Sequence, residues 1–189
     1  MSPKSPSSSR TETSQVVTPN DANFLGKVFG GTILSLIDLC AYATASKFAG
    51  NVAVTASFDR VDFHEPIELG ELVTCVGEVT YVGRTSMEVT IEVYADNVLK
   101  GERRHTNTAR VTMVAFKDGK PVPVPHLMCD TKDEKLRFLE GKLRRELRKK
   151  QIAERERLFA QFRELSEPEL DRLIGLVSIL PANASEFSS

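Results

Sequence analysis

The sequence lacks a hydrophobic segment long enough to cross a membrane. Its longest apolar stretch, ILSLIDLCAYATASKF at residues 33–48, is shorter than the roughly 20 residues of a membrane-spanning helix, and Asp38 interrupts it. The N-terminal stretch MSPKSPSSSRTETSQ is rich in Ser and Pro and has no apolar core. It therefore predicts a disordered tail over residues 1–15 rather than a secretory signal. We expect no insertion into a membrane.

An excess of charge of one sign is also missing. The 25 Lys and Arg residues nearly balance the 26 Asp and Glu residues, which gives a net charge of -1. The overall charge therefore does not favour binding to nucleic acid. The three cysteines, Cys40, Cys75 and Cys129, are scattered and have no CxxC spacing. This pattern predicts reduced thiols and a cytoplasmic location.

Several catalytic signatures are absent as well. No Walker loop or GxGxxG motif precedes a helix, and the sequence has no GxSxG motif. The three histidines, at positions 64, 105 and 126, do not have a metal-ligand spacing such as HxxxH, so we predict no metal site. We expect structural or surface roles for the histidines. His64, which follows a strand-like segment, is the strongest candidate for another role.

One α+β domain is predicted over residues 16–128. The apolar stretch predicts a buried helix that ends near Gly50-Asn51. Four strand-like segments follow, and TSMEVTIEVYA alternates apolar and polar residues as a half-buried strand does. Because consecutive strands joined by short turns pair antiparallel, we expect an antiparallel sheet that curves around the helix. The sheet would leave one face of the helix uncovered, which predicts a dimer.

A charged helical extension is predicted over residues 129–180, with a disordered tail over residues 181–189. Thr131-Lys132-Asp133-Glu134 is a capping-box pattern, and Ser166 followed by Pro168 indicates the start of a second, shorter helix. The basic stretch GKLRRELRKKQ permits two interpretations. It is either a solvated helix face that docks a narrow apolar stripe on the core or on another subunit, or a surface that binds a partner. The interspersed acidic residues favour the first.

The residues best suited to chemistry lie in PNDANFLGKVFGGTILSLIDL, residues 19–39. Gly30 and Gly31 begin the helix, where backbone amides are free and a ligand can approach closely, as in an oxyanion hole. Asp38 follows about two helical turns later, and Asn23 precedes the helix. Together these groups can activate water and stabilise a tetrahedral intermediate. They could equally be structural, with Asn23 shaping the loop and Asp38 pairing with an arginine.

The segment PNDANFLGKVFGGTILSLID resembles the signature of hotdog-fold acyl-CoA thioesterases of the cytosolic acyl-coenzyme A thioester hydrolase type. The resemblance continues through VTASFDRVDFHEPIELGE, YVGRTSMEV and ARVTMVAFKDGKPVPVPHL. It implies a hotdog fold, in which an antiparallel sheet wraps a long central helix. It also implies hydrolysis of fatty acyl-CoA to free fatty acid and CoA. No separate cofactor is expected, because CoA is part of the substrate.

The same resemblance implies roles for individual residues. Asn23 and Asp38 would be the catalytic pair, with Asp38 as general base or as nucleophile. The amide of Gly31, helped by that of Gly30, would stabilise the oxyanion. In two-domain relatives the two catalytic residues come from opposite hotdog units. This chain has one such unit, so the resemblance implies at least a homodimer and, as in other family members, a trimer of dimers.

The resemblance places CoA along two strand segments, Ala56-Ser57-Phe58 and Thr85-Ser86-Met87. A strand edge with Ser and Thr hydroxyls can bind the amides of pantetheine, although these hydroxyls could also be ordinary strand residues. Arg84 is the candidate for the CoA phosphates. Arg60 and Arg110 are further candidates, but we favour ordinary surface charges for both.

Two other functions are compatible with a hotdog fold, which does not by itself determine function. A hydratase would prefer a histidine beside the acid of the helix, and none lies near it in the sequence. A non-catalytic acyl-CoA sensor of the regulator type would have a DNA-binding segment, but no helix-turn-helix pattern precedes the domain and the C-terminal region is mixed in charge. The presence of both Asn23 and Asp38 favours the thioesterase, and the sensor remains the alternative.

Overall fold

The computed structural model describes residues 2–59, 61, 63 and 65–179, except for the side chains of residues 176–179. The chain forms two compact units, residues 1–142 and residues 143–189. The boundary lies later than the predicted one at residue 128, because the start of the C-terminal helix packs on the sheet. Phe138 lies 5.0 Å from Tyr81, measured between ring centroids. Gly141 is buried.

The first unit contains a long helix and a six-stranded antiparallel sheet. Its helix is α1 (Gly30–Ala49), and its strands are β1 (Thr11–Val16), β2 (Val52–Phe58), β3 (Leu72–Val82), β4 (Ser86–Asn97), β5 (Glu102–Lys117) and β6 (Lys120–Pro121). The strand order is β1-β3-β4-β5-β2, with β6 paired to β5, and every pairing is antiparallel. The predicted arrangement of an antiparallel sheet around a long helix is confirmed.

The core lies between α1 and the face of the sheet that it covers. The apolar residues of β4 that were predicted to share one face are each at most 1% exposed: Met87, Val89, Ile91 and Val93. On α1, Ile37, Cys40 and Phe48 are fully buried. The helix crosses β3 so closely that a Cβ atom on Gly77 would collide with the side chain of Thr44. The sequence pattern of both elements therefore predicted the core correctly.

The opposite side of α1 remains exposed within the chain. Leu39 is 59% exposed and Tyr42 is 46% exposed, whereas a solvated helix face usually has polar residues. The helix ends as predicted at Gly50, which has a φ of 67° and donates its N–H to the carbonyl of Ser46 at 2.8 Å. The free apolar face is the one that a second subunit would cover.

The N-terminal residues differ from the disordered tail predicted over residues 1–15. β1 pairs with β3 along its whole length. Lys4 Nζ donates to the carbonyl of Phe48 at 2.6 Å, near the C-terminal end of α1. Ser9 is buried, and its Oγ accepts the N–H of Val79 at 2.9 Å. The Ser- and Pro-rich composition predicted disorder because it has few apolar residues, whereas the order comes from bonds to distant segments.

The C-terminal helices are α2 (Lys132–Arg163) and α3 (Glu167–Ile179). The predicted capping box of α2 is confirmed. Thr131 Oγ1 accepts the N–H of Glu134 at 3.2 Å, and Glu134 accepts the N–H of Thr131 at 2.9 Å. At α3, Glu169 accepts the N–H of Ser166 at 2.8 Å. The tail predicted over residues 181–189 lies outside the described residues. Among the helices described, none is long and apolar enough to cross a bilayer.

Candidate functional site

The segment before α1, residues 22–28, forms a small closed loop that we call the Asn23 loop. Ala22 and Val28 form an isolated antiparallel bridge. The N–H of Asn23 donates to the carbonyl of Lys27 at 2.7 Å, and the N–H of Gly26 donates to the carbonyl of Asn23 at 3.0 Å. Gly26 has a φ of 72°, which is accessible to glycine at no steric cost. The loop therefore fixes the backbone at Asn23.

In the carboxamide of Asn23 the oxygen is hydrogen-bonded within the loop, whereas the NH₂ group is not. Its Oδ1 accepts the N–H groups of Leu25 at 2.9 Å and of Lys27 at 3.1 Å, which uses both lone pairs. Its Nδ2 group makes no hydrogen bond to any residue in the described ranges. Asn23 does shape the loop, as the structural alternative held. It can also donate, but not accept, a hydrogen bond to a ligand.

Gly30 and Gly31 are the first two residues of α1. The side chain of the preceding residue, Phe29, does not cap the helix. The N–H of Thr32 donates a hydrogen bond to the carbonyl of Phe29 at 2.9 Å. Within the described part of the chain the N–H groups of both glycines have no acceptor. A Cβ atom on Gly31 would collide with the ring of Phe29, and one on Gly30 would lie 3.7 Å from the ring of Phe63. Two free amides therefore lie beside two aromatic rings.

Asp38 lies on the half-buried side of α1 that faces β2. Its Oδ1 accepts a hydrogen bond from Thr55 Oγ1 at 2.6 Å, towards the short end of the usual range for a hydroxyl donor. Thr55 Oγ1 also lies 3.4 Å from the sulfur of Met113. Among the described residues no arginine pairs with Asp38, so the structural alternative of an Asp–Arg pair is not supported. The second oxygen of Asp38, Oδ2, remains available to a ligand.

Thr55 is a candidate site residue that the sequence reasoning missed. It immediately precedes the predicted segment Ala56-Ser57-Phe58, and a polar residue in a strand usually marks the solvent side. The register between β2 and β5 shifts between Thr55 and Ser57, so Ala56 is the extra residue of a bulge. Bulges often reorient a side chain beside an active site. Only the position of Asp38 on the neighbouring helix gives Thr55 its significance.

The two predicted CoA-binding segments lie on different strands. In the first, Ala56 and Phe58 are exposed on β2, which is an edge strand of the sheet, and Ser57 is half-buried. The second segment begins at the turn before β4, where Arg84 is exposed.

The rest of the second segment is bound into the sheet. The carbonyl of Thr85 accepts the N–H of Ala115 at 3.0 Å, and Ser86 pairs with Val114. Met87 is 1% exposed and belongs to the core, so its side chain cannot line a binding surface of this chain.

The remaining charged candidates have different surroundings. Arg110 is half-buried on β5, and its buried Nε has no hydrogen-bond partner among the described residues. His105 lies on the surface with its Nε2 2.6 Å from Glu92, and His126 is exposed, as expected. Arg60 and His64 lie outside the described residues. In the part of the chain that the structure describes, no three metal-binding side chains form a group.

The cysteines are poorly suited to nucleophilic chemistry. Cys40 and Cys75 are buried, and Cys129 is half-buried. Burial raises the pKa of Cys75 to about 12, and it also raises the pKa values of Cys40 and Cys129. The thiolate is the reactive form, and these shifts disfavour it at all three positions.

Comparisons with known proteins identify related sequences. The family model of the thioesterase superfamily matches residues 25–102. The protein VdlD of Helicobacter pylori is 40% identical over 132 residues, which cover 70% of this chain and 75% of VdlD. The cytosolic acyl coenzyme A thioester hydrolase of Rattus norvegicus is 37% identical over 143 residues, which cover 74% of this chain but only 38% of that longer protein.

Solved structures show the same similarity in three dimensions. A hexameric acyl-CoA thioesterase, solved without ligand, is 42% identical with a TM-score of 0.77 over 81% of this chain and 99% of that chain. An acyl-CoA hydrolase from Staphylococcus aureus, solved with butyryl-CoA and CoA, is 35% identical with a TM-score of 0.75 over 85% of this chain and 99% of that chain.

Variants of the Staphylococcus aureus enzyme have also been solved. In each, alanine replaces one residue: an asparagine, an aspartate or a threonine. The same three residue types occur in this chain, separated by the same intervals, at Asn23, Asp38 and Thr55.

Proposed function

Because the chain belongs to the hotdog-fold acyl-CoA thioesterase family, we propose that it hydrolyses fatty acyl-CoA to free fatty acid and CoA, with Asp38 as its catalytic carboxylate. The hydrogen bond from Thr55 Oγ1 to Asp38 Oδ1 at 2.6 Å is the observation that best supports this proposal. It orients the carboxylate and leaves one oxygen free on the half-buried side of α1. A carboxylate that is positioned but not neutralised by a cation is suited to accept a proton.

Asp38 Oδ2 accepts a proton from a water molecule, which then attacks the carbonyl carbon of the thioester. The attack gives a tetrahedral intermediate with a negative charge on the former carbonyl oxygen. The intermediate collapses by breaking the bond to sulfur, and CoA leaves as the thiol after it receives the proton. Thr55 is a positioning residue in this scheme, since it acts through Asp38.

The amides of Gly31 and Gly30 stabilise the oxyanion. The absence of an acceptor for either N–H among the described residues supports this role, because such donors need no reorganisation before the reaction. The helix dipole adds a favourable potential at the same end of α1. The ring of Phe29, which lies against Gly31, gives the acyl chain an apolar wall beside these amides.

Asn23 donates a hydrogen bond from Nδ2 to the attacking water or to the thioester. Its Oδ1 is engaged by two backbone N–H groups, which fixes the orientation of the carboxamide. In the described part of the chain Asn23 makes no hydrogen bond to Asp38, which is compatible with a site built from two subunits. We therefore propose that Asn23 of one subunit faces Asp38 of another.

An assembly of at least two copies follows from this site. The exposed Leu39 and Tyr42 on α1 and the exposed Val52 and Val54 on the edge strand β2 supply apolar surface for such a contact. A trimer of dimers is the assembly that we propose, by analogy with the hexameric relative. CoA lies along β2 and the turn at Arg84 in this proposal, with the exposed Arg84 available to its phosphates.

The test is the release of free CoA thiol from a series of acyl-CoA substrates from acetyl to palmitoyl. Wild type is expected to release thiol and to identify the preferred chain length. Asp38→Asn should lose at least about a hundredfold in rate, since it removes the proton acceptor. Asp118→Asn is the matched control, because Asp118 lies in an exposed turn with a φ of 50° that Asn also tolerates.

The outcomes separate the enzyme from its alternative. Retention of activity in Asp38→Asn would contradict the assignment of the carboxylate. If folded wild type releases no thiol from any member of the series, the hydrolase proposal fails. Tight binding of acyl-CoA without turnover would instead support the sensor.

A further inference from the structure

The second unit has an apolar stripe along α2 that its own described residues leave open. We call this the α2 stripe and define it by Leu143, Leu147, Lys150, Gln151, Glu154, Leu158 and Phe162. Apart from the adjacent Lys150 and Gln151, successive positions are three or four residues apart, and all of them therefore lie on one side of the helix. Leu143 is 59% exposed, and Leu147 and Phe162 are each 47% exposed. A groove of about 420 Å³ runs along the C-terminal part of the stripe.

The stripe needs a cover, because large apolar side chains exposed in a row usually mark a contact surface. Two apolar side chains of α3 within the described residues do not supply that cover. Leu170 and Leu173 of α3 are themselves 37% and 41% exposed.

The order of residues along the stripe identifies the occupant. Two apolar residues lie at each end, Leu143 and Leu147 at one and Leu158 and Phe162 at the other, with polar residues between them. When the stripe is turned end for end, its apolar ends coincide: Leu143 falls opposite Phe162, and Leu147 falls opposite Leu158. We propose that α2 of one copy pairs antiparallel with α2 of a second copy along this stripe, about a two-fold axis between residues 152 and 153.

The polar centre of the stripe favours this antiparallel arrangement. In an antiparallel pair Gln151 falls opposite Glu154 of the second copy, and Lys150 lies beside that same carboxylate. A parallel pair would instead place Lys150 against Lys150 and Glu154 against Glu154, which is repulsive. The carboxylate of Glu154 accepts two hydrogen bonds from the guanidinium of Arg157, at 2.6 and 2.9 Å. The carboxylate is therefore already oriented on the helix surface. The contact is self-complementary, as a two-fold interface requires.

Disulfide trapping in the full-length chain tests the pairing. In a Cys129→Ser background the chain with both Leu143→Cys and Phe162→Cys should form covalent dimers under mild oxidation. Within one helix the two positions are about 28 Å apart, so the disulfide cannot close inside one chain. The chains with either cysteine alone should remain uncrosslinked. Absence of dimer from the double variant, or equal crosslinking of Leu143→Cys alone, would overturn the antiparallel proposal.

Hydrogen exchange gives a second measurement that does not depend on new cysteines. A highly charged helix without a partner opens readily, so slow amide exchange over residues 143–163 requires a contact. Leu147→Glu should accelerate exchange there by at least about tenfold, because it places a charge in the stripe. Ile152→Glu is the matched control: Ile152 is 40% exposed and lies on the far side of the helix. Equal effects of both variants, or no effect of either, would contradict the proposal.

Discussion

Replacing Thr55 by valine tests the hydrogen bond that orients Asp38. Valine keeps the volume and β-branching of threonine, so β2 should retain its geometry while the carboxylate loses its one described donor. Hydrogen bonds to charged groups are worth about 1.5–3 kcal/mol. If that energy serves to position Asp38 in the transition state, kcat should fall by about 10- to 100-fold, since about 1.4 kcal/mol corresponds to a factor of ten.

The assay is CoA thiol release at saturating and at limiting acyl-CoA, which separates kcat from KM. A positioning role predicts that kcat falls while KM changes little, because the interaction acts in the transition state rather than in substrate binding. Thr55→Ser retains the hydroxyl and should recover most of the activity. Refutation would be an unchanged kcat in the valine variant, or a serine variant as slow as the valine variant.

Two further predictions concern packing and protonation in the first unit. Gly141→Ala should destabilise the fold by about 1–3 kcal/mol, because the new Cβ would lie 2.6 Å from Tyr81 Cβ and 2.9 Å from Glu88 Oε1. Gly175→Ala is the control, because a Cβ atom at Gly175 would have nothing within 4 Å, and it should leave the thermal melting temperature unchanged or raise it. Equal destabilisation by Gly141→Ala and Gly175→Ala would contradict the close contact at Gly141. Burial raises the pKa of Cys75 from 9.0 to about 12, so the folded state binds the thiol proton more tightly. The resulting stability is fully present below pH 9.0 and is lost as the pH rises towards 12. Between these pH values the urea midpoint of wild type should therefore fall more steeply than that of Cys75→Val. Parallel curves of urea midpoint against pH for the two proteins would contradict the prediction.

The parts of the fold that the sequence predicted are those that depend on local patterns. The alternation of β4 determined which residues are buried, because successive side chains of a strand point to opposite faces. Gly50 ended α1, and the Thr131 capping box began α2. The N-terminal residues were not predictable in this way. Lys4 and Ser9 bond to Phe48 and Val79, and no local pattern in the sequence identifies such distant partners.

In the candidate site, too, the sequence predicted the residues that form a local pattern and missed the contacts between distant residues. Asn23, Gly30, Gly31 and Asp38 lie in one short segment, and their residue types suggested acyl-transfer chemistry. Thr55 was missed because its significance depends on the packing of β2 against α1. The two backbone N–H groups that occupy Asn23 Oδ1 were equally invisible in the sequence, although they determine that Asn23 can only donate.

The most direct test of the proposed hydrolase is complementation between two inactive variants. Asn23→Ala and Asp38→Asn are each expected to release little CoA thiol. When they are unfolded together and refolded as a mixture, each mixed pair of subunits should contain one site with both wild-type residues, as the symmetry of a dimer requires. Recovery of about a quarter of the wild-type activity is the predicted result for random pairing. A mixture as inactive as its components would contradict a site in which Asn23 of one subunit faces Asp38 of another.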